Sequence, residues 1–178
     1  MKEKLKDVKR ISIVGGPGTG KTTLAQQLSN ILKIPVTHLD SVNFKPNWEK
    51  IPTEERDNII LEKAEEEYWI IDGNYVGTLP KRLERADLVI WLDYSTTSII
   101  KGVLERTIRN FNKEKKELPG CKERIDWHFL KYMITFRQKK RKQIKENINK
   151  TPKEKVIIFH NRKELNEWLE DIQNKANI

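Results

Sequence analysis

The sequence predicts an α/β fold of three layers, with a five-stranded parallel sheet between helices and a helical, basic lid insert. Three observations predict it. Short and nearly continuous apolar runs alternate with segments of helical period, the pattern of strands covered on both faces. A glycine-rich octapeptide, Gly15-Gly16-Pro17-Gly18-Thr19-Gly20-Lys21-Thr22, separates the first apolar run from the first helical segment. The alternation then breaks late in the chain at a long basic stretch, residues 111–151.

The first strand is Ile11-Ser12-Ile13-Val14, and the helix after the octapeptide covers about Gly20 to Leu32, with Leu24, Ala25, Leu28, Ile31 and Leu32 on one face. Val36 to Leu39 follows as the second strand. A second helix over Thr53 to Glu67 opens with Pro52-Thr53-Glu54-Glu55, whose proline and acids suit a helix N-terminus. Tyr68 to Ile71 and Leu88 to Leu92 are the third and fourth strands, with a helix at Thr96 to Asn110 after the fourth. Val156 to Phe159 is the fifth strand. The last helix, Lys163 to Asn174, shows Leu165, Trp168, Leu169 and Ile172 at helical spacing, a core stripe. Two stretches depart from this order: an acceptor-side segment of about 40–67 and the insert at about 111–151. Within the insert, Arg124 to Ile148 reads as helix, with Ile125, Phe129, Tyr132, Met133 and Phe136 aligned. The lysine-rich stretch before it, Asn112 to Gly120, is expected to be mobile.

Composition bounds the class. The 178 residues fit a single domain, and 34% charged against 37% apolar residues fits a soluble, folded chain. The sequence contains no apolar stretch of the ~18 residues that a membrane span requires. The N-terminus is rich in Lys and Glu and lacks the apolar core of a signal peptide. One cysteine, Cys121, excludes an internal disulfide and fits a reducing cytoplasm. The net charge of +9 is concentrated: residues 101–150 hold sixteen Lys/Arg against six Asp/Glu, a surplus of ten, so the remainder is near neutral. Such a segment suits a solvated helix face, a nucleic-acid surface or a lid that closes over polyphosphate, and its place between the fourth and fifth strands favours the lid.

The octapeptide has the form G-x-x-x-x-G-K-[ST] in strand–loop–helix context, which makes it a phosphate-binding P-loop. Glycines Gly15, Gly16, Gly18 and Gly20, with Pro17 and Thr19, let the backbone turn its N–H groups onto phosphate oxygens at a helix N-terminus. Lys21 is expected at the β- and γ-phosphates, Thr22 at Mg²⁺, and Thr23 beside them, so ATP and Mg²⁺ are the expected cofactors. Ligands of open parallel sheets bind at the carboxyl ends of strands, which here carry Asp40, then Asp72-Gly73-Asn74-Tyr75, then Asp93. Asp72 is expected to hold Mg²⁺ partly through water, Asp40 to orient a phosphate acceptor, and Asp93 to set the turn into the Thr96 helix. Phe44 and Trp48 are either core or a stacking surface for a base or ring. His38, His128 and His160 show no metal spacing with one another or with Cys121.

These residues resemble the nucleoside-monophosphate kinase group of P-loop kinases, adenylate kinase above all. Within that group the sequence is most similar to the bacterial DNA topology modulation proteins of the FlaR type, adenylate kinase-related kinases. The likeness is carried by residues 15–22, His38-Leu39-Asp40, Lys45-Pro46-x-Trp48, Trp69-Ile70-Ile71-Asp72-Gly73-Asn74-Tyr75, Ala86-Asp87 and Gly120-Cys121-x-Glu123-x-x-Asp126-x-x-Phe129-Leu130. It implies that Arg106 and Arg109 meet the triphosphate, and that Arg137 and Arg141 act from the lid on the transferring phosphoryl group. It also implies that Asn161 and Arg162, after the fifth strand, pack against adenine. Asp40, Phe44, Trp48, Asp72, Gly73, Asn74 and Tyr75 would line the acceptor side.

One departure bears on the acceptor. Adenylate kinases follow Asp-Gly with Phe-Pro-Arg, whose arginine binds the acceptor phosphate; here Asn74-Tyr75-Val76 stands there, and the stretch from Asp40 to Ile51 has no arginine. Arg82 and Arg85 lie downstream as substitutes. The expected activity is ATP- and Mg²⁺-dependent phosphoryl transfer to a small nucleotide- or nucleoside-like acceptor, in a cytoplasmic monomer or homodimer without a membrane partner. The rival is a nucleic-acid-binding regulator using the basic surface, for which the sequence shows no reading module. A P-loop switch or hydrolase is weaker, since no N/T-K-x-D segment occurs.

Overall fold

The structure, a computed structural model, describes residues 5, 7–110, 114–115, 118–122 and 127–176. The chain runs through β1 (Arg10–Gly15), α1 (Lys21–Leu32), β2 (Val36–His38), α2 (Leu39–Asn43), β3 (Phe44–Lys45), β4 (Glu49–Lys50), α3 (Thr53–Glu65) and β5 (Trp69–Asp72). It continues with α4 (Leu79–Arg85), β6 (Leu88–Leu92), α5 (Thr96–Asn110), β7 (Glu114–Lys115), β8 (Leu118–Lys122) and α6 (Trp127–Phe136). A π-helical turn at Arg137–Arg141 leads into α7 (Lys142–Ile148), and β9 (Val156–Phe159) and α8 (Arg162–Ala176) are the last elements described.

The sheet is five-stranded in the order β2-β5-β1-β6-β9, and every pairing is parallel. Its central strands are buried along their length because their apolar runs must be covered on both faces: Ile11, Ile13, Ile70, Ile71, Val89 and Ile90 are all fully buried. The register brings the functional strand ends level. His38 lies opposite Asp72, Asp72 opposite Ile13, Gly15 opposite Leu92, and Leu92 opposite Phe159. The fold class and all five strands match the expectation, with the third strand displaced by one residue so that Asp72 is its last member.

The helices differ in two places. Two short ones, α2 and α4, lie where no helix was expected. Helix α4 has Pro80 in its first turn and buries only Leu79, Arg82 and Leu83, too short a repeat to announce itself. The insert is the other. Part of the stretch expected to be mobile, Asn112 to Gly120, lies outside the described residues, but β7 and β8 form an antiparallel hairpin in which Glu114 pairs with Lys122. The Cys121 thiol donates to the Lys45 carbonyl at 3.3 Å, and Gly120, at φ 77°, faces Pro46 so closely that a Cβ would lie 2.8 Å from the proline Cβ. The hairpin is therefore seated on the β3–β4 segment. Ile125 and the side chains of Phe129 and Tyr132 lie outside the described residues; of the expected stripe, Met133 and Phe136 are buried. Helix α7 buries Ile144 and Ile148 and packs on α4, so the end of the insert belongs to the core. Among the described residues no helix is long and apolar enough to cross a membrane.

Candidate active site

The loop after β1 turns through three left-handed or extended glycines, Gly15 (φ 155°), Gly18 (φ 68°) and Gly20 (φ 94°), and delivers the chain into α1. Side chains brace it from within. Thr19 donates its hydroxyl to the Gly16 carbonyl at 2.8 Å, and Lys21 donates from Nζ to the same oxygen at 2.9 Å. Thr22 stands half-buried in the first turn of α1, and Thr23 is exposed. Helix α5 supports the loop from below: a Cβ on Gly102 would run into the Gly18 carbonyl, and one on Gly16 into Ile99. The loop's shape is thus set by glycine torsions, by two internal hydrogen bonds and by a helix that touches it with bare backbone.

Asp72, at the end of β5, is 4% exposed. Its Oδ1 lies 3.1 Å from His38 Nδ1, and among the described residues its Oδ2 has no hydrogen-bond partner. A buried carboxylate oxygen without a donor is costly unless a cation or ordered water meets it. That orphaned oxygen, one strand away from the P-loop strand, fits the metal role expected of Asp72 with Thr22.

The chain after Asp72 is held from beneath by Arg82, which is fully buried. Its Nη1 donates to the Gly73 carbonyl at 3.1 Å and its Nη2 to the Asn74 carbonyl at 2.7 Å. Burial pulls the Arg82 pKa down to about 9, against the attraction of Asp72 and Asp57, and the guanidinium stays charged at neutral pH. Arg82 therefore serves the turn rather than an acceptor phosphate. Arg85 is committed elsewhere, to the carbonyls of Ala64 and Glu65 at 2.6 and 3.0 Å. Asn74, expected on the acceptor side, instead turns to the P-loop: its Oδ1 accepts from the Gly15 amide at 3.0 Å and its Nδ2 donates to the Gly15 carbonyl at 2.9 Å.

Beside the residues expected to line the acceptor side stands an arginine that no motif marks. Arg56, on α3, lies over the Tyr75 ring at 4.9 Å, donates from Nε and Nη2 to Asp57, and reaches Asn43 Oδ1 at 3.3 Å. The Tyr75 hydroxyl donates to Asp40 Oδ1 at 3.0 Å. Asp40, Tyr75 and Arg56 thereby form one polar cluster. In the sequence Arg56 is a lone arginine in the first turn of the helix that follows Asp40 to Ile51, outside any motif. Phe44 and Trp48 meet edge to face at 5.3 Å, both only half-buried, so they are a wall rather than core. Trp48 and Asn47 hold φ of 63° and 62°, a conformation that bulky side chains avoid. Gly73, at φ 136°, faces Leu39, whose Cβ would lie 2.8 Å from a Cβ placed there.

The basic residues divide. Arg162 Nη2 donates to the Gly18 carbonyl at 3.1 Å and its Nη1 to Glu105 at 2.9 Å, so Arg162 stands beside the loop. Asn161 caps α8, accepting the Glu164 amide at 3.0 Å while Glu164 takes the His160 amide in return. Arg106 is half-buried and Arg109 exposed on α5, the helix beneath the loop. Arg141, expected at the transferring phosphoryl group, is held by Asp93, Nε to Oδ1 at 2.6 Å and Nη2 to Oδ2 at 2.7 Å, with its guanidinium 5.6 Å from the Trp91 ring centre. Asp93 therefore anchors the insert rather than only setting the next turn. The side chain of Arg137 lies outside the described residues.

Comparisons with known proteins bear on the fold and the class of protein. The family model for the ATPase family associated with various cellular activities (AAA) matches residues 11–93. The cytidylate kinase of Pyrobaculum neutrophilum (strain DSM 2338 / JCM 9278 / NBRC 100436 / V24Sta) is 25% identical over 141 residues, covering 71% of this chain and 74% of that one. A second, from Pyrobaculum islandicum (strain DSM 4184 / JCM 9189 / GEO3), is 23% identical over the same shares. Among solved structures, shikimate kinase from Acinetobacter baumannii in complex with shikimate superposes with a TM-score of 0.58 at 15% identity, covering 97% of this chain and 95% of that one. Shikimate kinase from Bacteroides thetaiotaomicron gives 0.54 at 19% identity, covering 96% and 99%. The chain has the fold of these kinases and is a P-loop phosphotransferase of the small-molecule type.

Proposed function

We propose that this phosphotransferase moves the terminal phosphoryl group of ATP, with Mg²⁺, onto a small nucleotide- or nucleoside-like acceptor, as an adenylate kinase-related kinase of the FlaR kind acting in the cytoplasm. The observation that carries the reading is the buried Asp72 with its orphaned Oδ2, level with the start of the P-loop. Thr22 would hold the cation directly and Asp72 through water; bound there, Mg²⁺ would neutralise phosphate charge and fix the angle of transfer. Lys21 would leave the Gly16 carbonyl for the β- and γ-phosphates, and Arg162, Arg106 and Arg109 would add positive potential along the donor nucleotide.

On the other side, Asp40 with Tyr75 supports a hydroxyl group of the acceptor, and Arg56 supplies the cation that the Asp-Gly-Asn-Tyr segment lacks. Phe44 and Trp48 would bound a ring. The nucleotide-type acceptor is supported by the cytidylate kinases among the relatives. Catalysis would rest on positioning and electrostatics, which phosphoryl transfer chiefly needs.

A coupled ADP-release screen across nucleotides, nucleosides, sugars and small acids tests the reading, with Lys21→Ala as the blank. Lys21→Ala is expected to abolish ATP binding by calorimetry with the circular dichroism spectrum preserved. Unchanged ATP affinity in that variant would overturn the proposal.

A further inference from the structure

The β1–β5 ladder ends unusually. Ile13 pairs with Asp72, and the Gly73 amide adds one more rung by donating to the Ile13 carbonyl at 3.0 Å. At Gly73 the backbone turns away, with φ 136°. No further rung comes from the β5 main chain, yet Gly15, two residues beyond Ile13, is paired in both directions by the side chain of Asn74. A carboxamide presents the same donor and acceptor as a peptide, so Asn74 continues the ladder with a side chain after the main chain has left it.

We infer that Asn74 is a positioning residue for the donor nucleotide: it fixes the peptide at which the phosphate loop leaves the sheet. The peptide unit is planar, so holding the Gly15 carbonyl also fixes the Gly16 amide plane and the direction in which the loop starts. The Gly16 carbonyl, which takes both Thr19 and Lys21, belongs to the next peptide unit, so the internal bracing of the loop begins one residue beyond the plane that Asn74 holds. The other face of Gly15 is packed too; a Cβ there would lie 2.7 Å from the Leu92 carbonyl oxygen. Asn74 is itself held by Arg82 through its own carbonyl at 2.7 Å. A buried charge, a turn and an amide side chain thus form one support under the loop, and the next residue, Tyr75, faces the acceptor side through Asp40.

The inference rests on the reading that this loop binds ATP, and the test separates the two. ATP affinity in the presence of Mg²⁺ is measured by calorimetry for the wild type, Asn74→Ala and Asn74→Asp. Asn74→Asp keeps the shape and the acceptor for the Gly15 amide but sets a carboxylate oxygen against the Gly15 carbonyl. Both variants are expected to weaken ATP binding by about tenfold or more while remaining folded, the scale of losing buried hydrogen bonds. Hydrogen exchange at the Gly15 amide is expected to accelerate in Asn74→Ala, with the Ile11 and Ile13 amides unchanged. ATP affinity within twofold of wild type in either folded variant would overturn the inference, because a residue serving only the acceptor or only the fold leaves donor affinity intact. Should Asn74→Ala fail to fold, Asn74→Asp decides alone. Wild-type protein that binds no ATP would overturn the inference together with the reading beneath it.

Discussion

Arg141 and Asp93 meet in a two-point ion pair, both nitrogen–oxygen distances below 2.8 Å, at the carboxyl end of β6. Asp93 is almost wholly buried and raises the Arg141 pKa above its ordinary value by accepting its hydrogen bonds. The pair ties the π-helical turn of the insert to the sheet.

Arg141→Ala leaves that buried carboxylate without its cation. Complete burial would make the loss larger, but the arginine is 26% exposed and solvent offsets part of it, so the expected destabilisation is about 2 kcal/mol. Denaturant titration measures it. A double-mutant cycle with Asp93→Asn should return a coupling of about 1 kcal/mol or more.

Asp72→Asn preserves shape and removes charge at the orphaned oxygen. Turnover is expected to fall about 10- to 100-fold, the range for groups that act on a metal from outside its first coordination sphere. The companion measurement is ATP affinity with Mg²⁺ and with EDTA. The difference between the two conditions should shrink in the variant, and an undiminished difference would remove Asp72 from the metal site.

Arg56→Ala addresses the acceptor. Its guanidinium stacks on Tyr75, whose hydroxyl meets Asp40, so the loss should raise the acceptor KM about tenfold, as for one lost charge-assisted contact. The KM for ATP should stay within twofold. Steady-state kinetics with whichever acceptor the screen identifies would read both.

The strands, the loop and the last helix were legible because each rests on local pattern: the apolar run Leu88 to Leu92 is short and bounded, as a covered strand is, and Gly20-Lys21-Thr22 ends a phosphate-binding motif that leads into a helix. The place of Asp72 at a strand end was legible because strand ends are readable once strands are. The uses of Asn74 and Arg82 were not, since each depends on partners that folding alone brings close: 59 residues separate Asn74 from Gly15. Arg141 was expected at phosphate because the resemblance matched it to the lid arginines of the kinase group, and nothing local marks its pairing with a carboxylate 48 residues away. The hairpin β7–β8 was hidden by its lysines, which suggested solvent, while Leu118 and Cys121 did the packing.

Gly120→Ala tests that hairpin. A side chain there needs a left-handed backbone and meets Pro46, so the expected destabilisation is about 1–3 kcal/mol, read as a lower denaturation midpoint. Amides of Phe44 to Lys50 should exchange faster in the variant if the hairpin steadies that segment.

Gly102 has a consequence for how chains of this build can be found or made. It lies outside the octapeptide, on α5, yet any larger residue there would collide with the Gly18 carbonyl. The steric signature of the loop therefore has a distant member that a contiguous motif search never inspects. A scan that also asks for glycine seven residues into α5 would separate chains in which the helix lies flush under the loop from those in which it stands off. A designer grafting the octapeptide onto another scaffold would have to carry that bare stretch of helix with it.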